Sequence, residues 1–215
     1  EAIIQTPMSE QSPWSWEPLL ELTHRLGDLA TLASGEVSSE TKTFTPESLM
    51  AGVRNRVKDP SRPGANIVTR LGADTPSELR SQPQLLTSLL ASATELVSGL
   101  APSGTTTLEL APRWSKPHVV DGLYLRCTND RAMASIDTLR DVLAGRDVAK
   151  EIDAGRELTA VSLRTCAAAL QAELAVRVSD DDGTVLSVVV PLAPTVVATP
   201  PSTEEVVAEL LPVAS

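Results

Sequence analysis

Apolar residues follow two different periods in turn along this chain. Spacing at three and four residues predicts helices over 17–32, 47–57, 81–99, 136–143 and 158–170. One-by-one alternation of apolar and polar residues predicts strands over 41–45, 66–70, 105–110, 123–127, 174–178 and 185–190. This interleaving is typical of a mixed sheet with helices on one face, so the expected fold class is an α/β (α+β) two-layer sandwich.

Prolines and glycines divide the chain into three expected parts. Residues 1–35 form an N-terminal helical segment, residues 36–194 the α/β domain, and residues 195–215 a proline-rich linker with a short C-terminal helix. The helix from Glu17 to Leu32 carries a stripe of leucines. Because a single helix of this length is marginal in water, the stripe predicts a homodimer that pairs through this helix.

Charge and composition exclude several classes of partner. The chain has 28 Asp and Glu against 18 Lys and Arg, so its net charge of -10 repels nucleic acid. No stretch reaches the roughly 18 apolar residues that cross a bilayer, so no membrane span is predicted and a cytoplasmic location is expected. Cys127 and Cys166 lie in apolar segments with no histidine nearby, which predicts buried reduced thiols and no metal site.

Several segments, in this order, resemble the core of a bacterial sensor histidine kinase. Residues 19–29 look like the second helix of its dimerisation hairpin, and residues 44–49 look like the strand and helix start that follow. Residues 174–192, with Asp182-Gly183-Thr184, are similar to its closing hairpin. The resemblance covers residues 17–193 and implies a GHKL-type ATP-binding domain after a helical dimerisation arm, acting in a two-component pathway.

The same resemblance places a metal and phosphate site, and the residues there depart from the family. Two asparagines that hold Mg²⁺ and the phosphates correspond to Ser92 and Leu96. A leucine has no oxygen with which to ligate a hard cation. Glycines of the phosphate-binding segment, at a helix N-terminus, correspond to Glu157 and Thr159, and a glutamate there repels a triphosphate.

The residues at the adenine site also differ from those of the family. The resemblance implies an aspartate that accepts the adenine amino group, followed by two glycines that let the nucleotide approach the backbone. Asn129 stands at the aspartate position, with Arg131 and Met133 at the glycines. Asp130 takes the acidic role only if the register slips by one residue. Side chains at 131 and 133 are expected to crowd the pocket.

Three functions remain open from the sequence. The first is a non-catalytic histidine-kinase-like module without a cofactor, which dimerises and binds a response regulator or a kinase. The second is a divergent but active kinase fragment that binds ATP and Mg²⁺. The third is a histidine phosphotransfer protein that uses His24, on the leucine-striped helix, as phosphoacceptor.

Overall fold

The computed structural model describes the α/β part of the chain and a few residues before it. The described residues are Thr23, Leu26, Gly27 and Ala30, which are all helical, and ranges 40–57, 66–100, 104–131, 136–144, 154–179 and 183–196. Most of the predicted N-terminal helix, including His24, and the predicted C-terminal helix lie outside these ranges. Their predicted roles therefore stay predictions.

Besides the helical residues Thr23, Leu26, Gly27 and Ala30, the described part consists of seven strands and four helices. The strands are β1 (Lys42–Phe44), β2 (Asn66–Leu71), β3 (Leu79–Ser81), β4 (Thr105–Lys116), β5 (Val119–Asn129), β6 (Glu173–Ser179) and β7 (Gly183–Val196). The helices are α1 (Pro46–Val57), α2 (Pro83–Leu100), α3 (Ile136–Leu143) and α4 (Ala154–Ala169). The main sheet has the order β2-β4-β5-β7-β6, with β2 parallel to β4 and the other pairs antiparallel, while β1 and β3 form a separate antiparallel pair. The predicted mixed sheet is confirmed.

One face of the main sheet packs against the helices. The strand register aligns Leu108, Cys127 and Leu186 in one row across β4, β5 and β7, and all three are buried. Helix α2 contacts these three central strands and also packs against α1 and α4. Since a fully buried leucine stabilises a fold by about 1.5–3 kcal/mol, this layer of leucines is the main source of stability. The two-layer α/β sandwich expected from the sequence is confirmed.

Local signals at helix ends fix where the elements begin and stop. The Thr45 hydroxyl accepts the N–H of Ser48 at 3.2 Å, and Pro46 follows as the first helical residue of α1. At the end of α4, Gln171 adopts the left-handed conformation with φ 54°. The Gln171 N–H donates to the carbonyl of Ala168 and the Ala172 N–H to that of Ala167, a Schellman motif that turns the chain into β6.

The structure corrects several predicted boundaries. Helix α4 begins at Ala154, four residues before the predicted start, and β4, β5 and β7 are all longer than predicted. Strand β7 runs through Val196, which pairs with Val119, so pairing continues past residue 194. The three-residue strand β3 was not predicted, because it is too short to show an alternation. None of the helices in the described ranges is sufficiently long and apolar to span a bilayer.

The thiol of Cys127 lies at the centre of the packed layer. Burial raises the pKa of this thiol to about 12, and a hydrogen bond with Thr94 offsets part of the rise. The prediction of buried thiols is confirmed for both Cys127 and Cys166. In the unfolded chain the Cys127 thiol ionises near pH 9, whereas in the folded chain it stays protonated up to about pH 12.

This difference predicts a loss of stability at alkaline pH. The contribution of Cys127 is fully present below about pH 9 and is lost as the pH rises towards 12, by at most about 1.4 kcal/mol per pH unit. Urea unfolding between pH 8 and pH 11 should therefore show a steeper decline for the natural chain than for Cys127→Ala. Equal slopes would contradict the raised pKa.

Candidate functional site

Buried polar residues gather where β4 begins and β5 ends. Asn129 pairs with Thr106 on β4 and with Gly183 on β7, and Thr184 follows Gly183. Asn129, Thr106 and Thr184 are all fully or almost fully buried. Their side chains form what we call the amide cluster. It contains the position at which the sequence predicts an adenine-binding group.

The side chain of Asn129 is hydrogen-bonded at both ends. Its Nδ2 donates to the Thr106 hydroxyl at 3.1 Å, and its Oδ1 accepts the backbone N–H of Arg131 at 3.0 Å. The residue has no exposed surface. The side chain of Arg131 is exposed, so this residue contributes its backbone to the amide cluster. Met133 lies outside the described residues.

The neighbouring Asp130 forms its hydrogen bonds with Thr105. Its Oδ1 accepts the backbone N–H of Thr105 at 2.8 Å, and its own N–H donates to the Thr105 carbonyl at 3.2 Å. These bonds tie the end of β5 to the start of β4 on the exposed side of the chain. The buried polar side chain at this strand end is therefore that of Asn129, whereas Asp130 is exposed.

The backbone at Gly104 closes over the amide cluster. A Cβ atom built at Gly104 would lie 2.6 Å from Asp130 Oδ1 and still closer to Asn129 Oδ1. No side chain fits in this space without moving both residues, so glycine is required by close approach. The side-chain carbonyl oxygen of Asn129 (Oδ1) thus lies against the Gly104 backbone on one side. On another side it accepts the Arg131 N–H.

Helix α2 presents a pair of serines four residues apart. Ser92 Oγ donates to Ser162 Oγ of α4 at 3.2 Å, and Ser88 Oγ accepts from Arg56 Nη1 of α1 at 3.2 Å. Leu96, which the sequence comparison matched to a metal ligand, is buried in the hydrophobic core at 2% exposure. The two serines therefore bond to different helices, Ser88 to α1 and Ser92 to α4.

The predicted phosphate segment lies inside α4. Because this helix begins at Ala154, the N–H groups without intrahelical partners belong to its first residues, ahead of the predicted position. Glu157 is exposed in the first turn and Thr159 is buried in the second. The negative charge of Glu157 therefore lies beside these N–H groups. Over the ranges that the structure describes, no cluster of three or more His, Cys, Asp or Glu side chains forms a metal site.

The Thr184 hydroxyl is the unusual member of the amide cluster. It is fully buried, and its oxygen makes no hydrogen bond to the described part of the chain. The sequence analysis did not single out Thr106 or Thr184, because both read as ordinary residues of alternating strands. Their burial depends on strand register, which places them on the face covered by helices.

Several solved structures with a similar fold are histidine kinases. The mycobacterial sensor histidine kinase MprB has a TM-score of 0.53 at 13% identity, over 73% of this chain and all of that one. The Acinetobacter baumannii histidine kinase AdeS has 0.54 at 10%, over 82% and 79%. Full-length ShkA in complex with AMPPNP has 0.57 at 16%, over 83% of this chain and 37% of that one. No family model matches the sequence, and no curated protein does. The resemblance to a sensor histidine kinase core is thus confirmed at the level of the fold.

The hydrogen bonds of the amide cluster predict opposite effects for two threonine-to-valine substitutions. Thr106→Val removes the acceptor of Asn129 Nδ2 inside the protein and should lower the free energy of unfolding by about 1–3 kcal/mol. Thr184→Val replaces an unbonded buried hydroxyl by a methyl group and should be neutral or stabilising. Urea unfolding of both variants measures the difference. A larger loss for Thr184→Val would contradict the described bonding.

Proposed function

We propose that this chain is a non-catalytic histidine-kinase-like module of a bacterial two-component pathway, which acts by dimerisation and protein docking and does not hydrolyse ATP. The fold shared with MprB and AdeS supports the kinase-like part of this proposal. The observation that carries the non-catalytic part is the buried amide of Asn129, which stands at the position expected to bind adenine.

Adenine binding at this position would require the amide cluster to open. The Asn129 carbonyl is already bonded to the Arg131 N–H and lies against the Gly104 backbone. An incoming amino group would have to displace this contact and shift the start of β4, which Asp130 holds through the Thr105 N–H. An amide also lacks the charge that strengthens a carboxylate acceptor. The nucleotide therefore gains little to offset the cost of opening.

The phosphates and their metal ion are disfavoured as well. On α2, the guanidinium of Arg56 bonds to Ser88, so a positive charge already lies beside this hydroxyl and disfavours a cation there. Glu157 in the first turn of α4 sets a negative charge against a triphosphate. The similar structure of ShkA contains AMPPNP. We propose that this chain does not hold such a nucleotide.

Calorimetric titration with ATP and Mg²⁺ tests this proposal. We expect no saturable heat up to millimolar nucleotide, because two losses of a few kcal/mol each move a micromolar site beyond millimolar. Asn129→Asp should remain without binding, since the phosphate and metal groups are still missing. A saturable heat with a Kd below roughly 100 μM, on the affinity scale of, would restore the active-kinase function.

The docking part of the proposal rests on the N-terminal helix. Leu26 belongs to the predicted leucine stripe and is 52% exposed, so an apolar side chain on this helix remains uncovered. We propose that the stripe pairs with a second copy, and that a response regulator or a kinase is the further partner. The parts of the chain that the structure describes offer no other exposed large apolar side chain except Leu71.

Two glutamate substitutions on this helix separate dimerisation from a general effect of charge. Leu26→Glu should lower the molar mass measured by light scattering, because it places a charge in the apolar stripe. Thr31→Glu adds the same charge on the side of the predicted 17–32 helix that is turned away from Leu22, Leu26 and Leu29, and it should leave the mass unchanged. An unchanged mass for Leu26→Glu would argue against pairing through the stripe.

A further inference from the structure

Strand β6 is the last strand at one edge of the main sheet, and helix α3 contacts it. Among the strands that the structure describes, its neighbour is β7 alone. The strand Glu173–Ser179 contains no proline and pairs with β7 without a register shift. Regular edges of this kind offer a row of backbone donors and acceptors to another strand, and natural proteins usually interrupt them with prolines or bulges.

The side chains of β6 also lack full cover on the helix side. Leu174 and Val176 face the hydrophobic core but are only partly buried. Their neighbours across the ladder, Val188 and Leu186 of β7, are 1% and 0% exposed. A strand added at this edge would therefore cover apolar surface as well as satisfy backbone groups.

The charges on the other face of β6 are self-complementary. Glu173, Ala175 and Arg177 are exposed and alternate on that face. If two copies of β6 pair antiparallel about a two-fold axis at Ala175, each Glu173 lies opposite the other copy's Arg177. The same register places Leu174 opposite Val176. Shifting this register by one or two residues in either direction removes both Glu173–Arg177 pairs.

Strand β2, at the opposite edge of the sheet, lacks a self-complementary charge pattern. Strand β2 carries a single charged residue, Arg70, so no two-fold pairing of β2 with itself creates an opposite-charge pair. Cross-strand ion pairs favour a register, and like charges directly opposite each other disfavour it. The chemistry of the two edges thus distinguishes β6 as the one suited to a second copy.

We propose that the β6 edge is an interface with a second copy of this chain, formed by antiparallel pairing centred on Ala175, so that one sheet continues through both molecules. The helices of both copies then lie on the same side, because antiparallel pairing keeps each face continuous. This proposal is independent of the proposed function and of pairing through the N-terminal helix.

Disulfide trapping at the axis tests the register directly. In this pairing the two Ala175 Cα atoms lie about 4.5–5.5 Å apart, a separation that a disulfide bridges. Oxidised Ala175→Cys should therefore yield a covalent dimer in high proportion. The buried Cys127 and Cys166 are not expected to interfere. Arg70→Cys, an exposed cysteine on the opposite edge, is the matched control and should give only background cross-linking.

Charge reversal gives a second, non-covalent test. Glu173→Arg places two arginines opposite each other at both ends of the interface, and Arg177→Glu places two glutamates there. In the Ala175→Cys background each variant alone should cross-link about tenfold less than its parent. Mixing the two variants, or combining both substitutions in one chain, restores opposite charges and should restore cross-linking.

The outcomes separate this proposal from the others. Trapping at Ala175 that is abolished by single reversals and rescued by the mixture supports the edge interface, whatever the result with Leu26→Glu. Equal cross-linking of Ala175→Cys and Arg70→Cys would overturn it. Charge reversals that leave cross-linking unchanged would also overturn it. Because Glu173 and Arg177 are exposed, circular dichroism should show that the variants remain folded.

Discussion

The packing of α2 against β4, β5 and β7 is the contact on which the other elements depend. This helix buries Leu86, Leu89 and Leu90 completely, and it contacts α1 and α4 on its flanks as well as the sheet. Because few aromatic residues are present, the core is filled by aliphatic side chains in register across three strands. The position of α2 also sets where Ser88 and Ser92 meet α1 and α4, so the core arranges the candidate site.

The sequence predicted the elements well and the site less well, for a physical reason. Helices and strands are set by local periodicity, and Ile136–Leu143 was predicted at both of its ends. Burial of Thr106 and Thr184 depends on pairing between strands far apart in sequence, which a local pattern does not contain. The resemblance matched Leu96 to a metal ligand, whereas the structure buries this side chain in the hydrophobic core.

The amide cluster brings buried polar side chains to the packed strand ends. A carboxylate enclosed by Gly104 and the strand ends would carry an uncompensated buried charge, which is costly without a bound partner. The neutral amide of Asn129 removes this charge and forms hydrogen bonds within the chain at both of its ends. Opening the site then costs these bonds.

The two proposed interfaces, through the N-terminal helix and through β6, constrain each other. Two separate two-fold interfaces on one chain generate open arrays unless the same pair of molecules uses both. If the helices of two chains associate, their α/β domains are held at an effective concentration in the millimolar range that short linkers provide. A weak β6 contact would then form within that dimer, and the Glu173–Arg177 pairs would select its register.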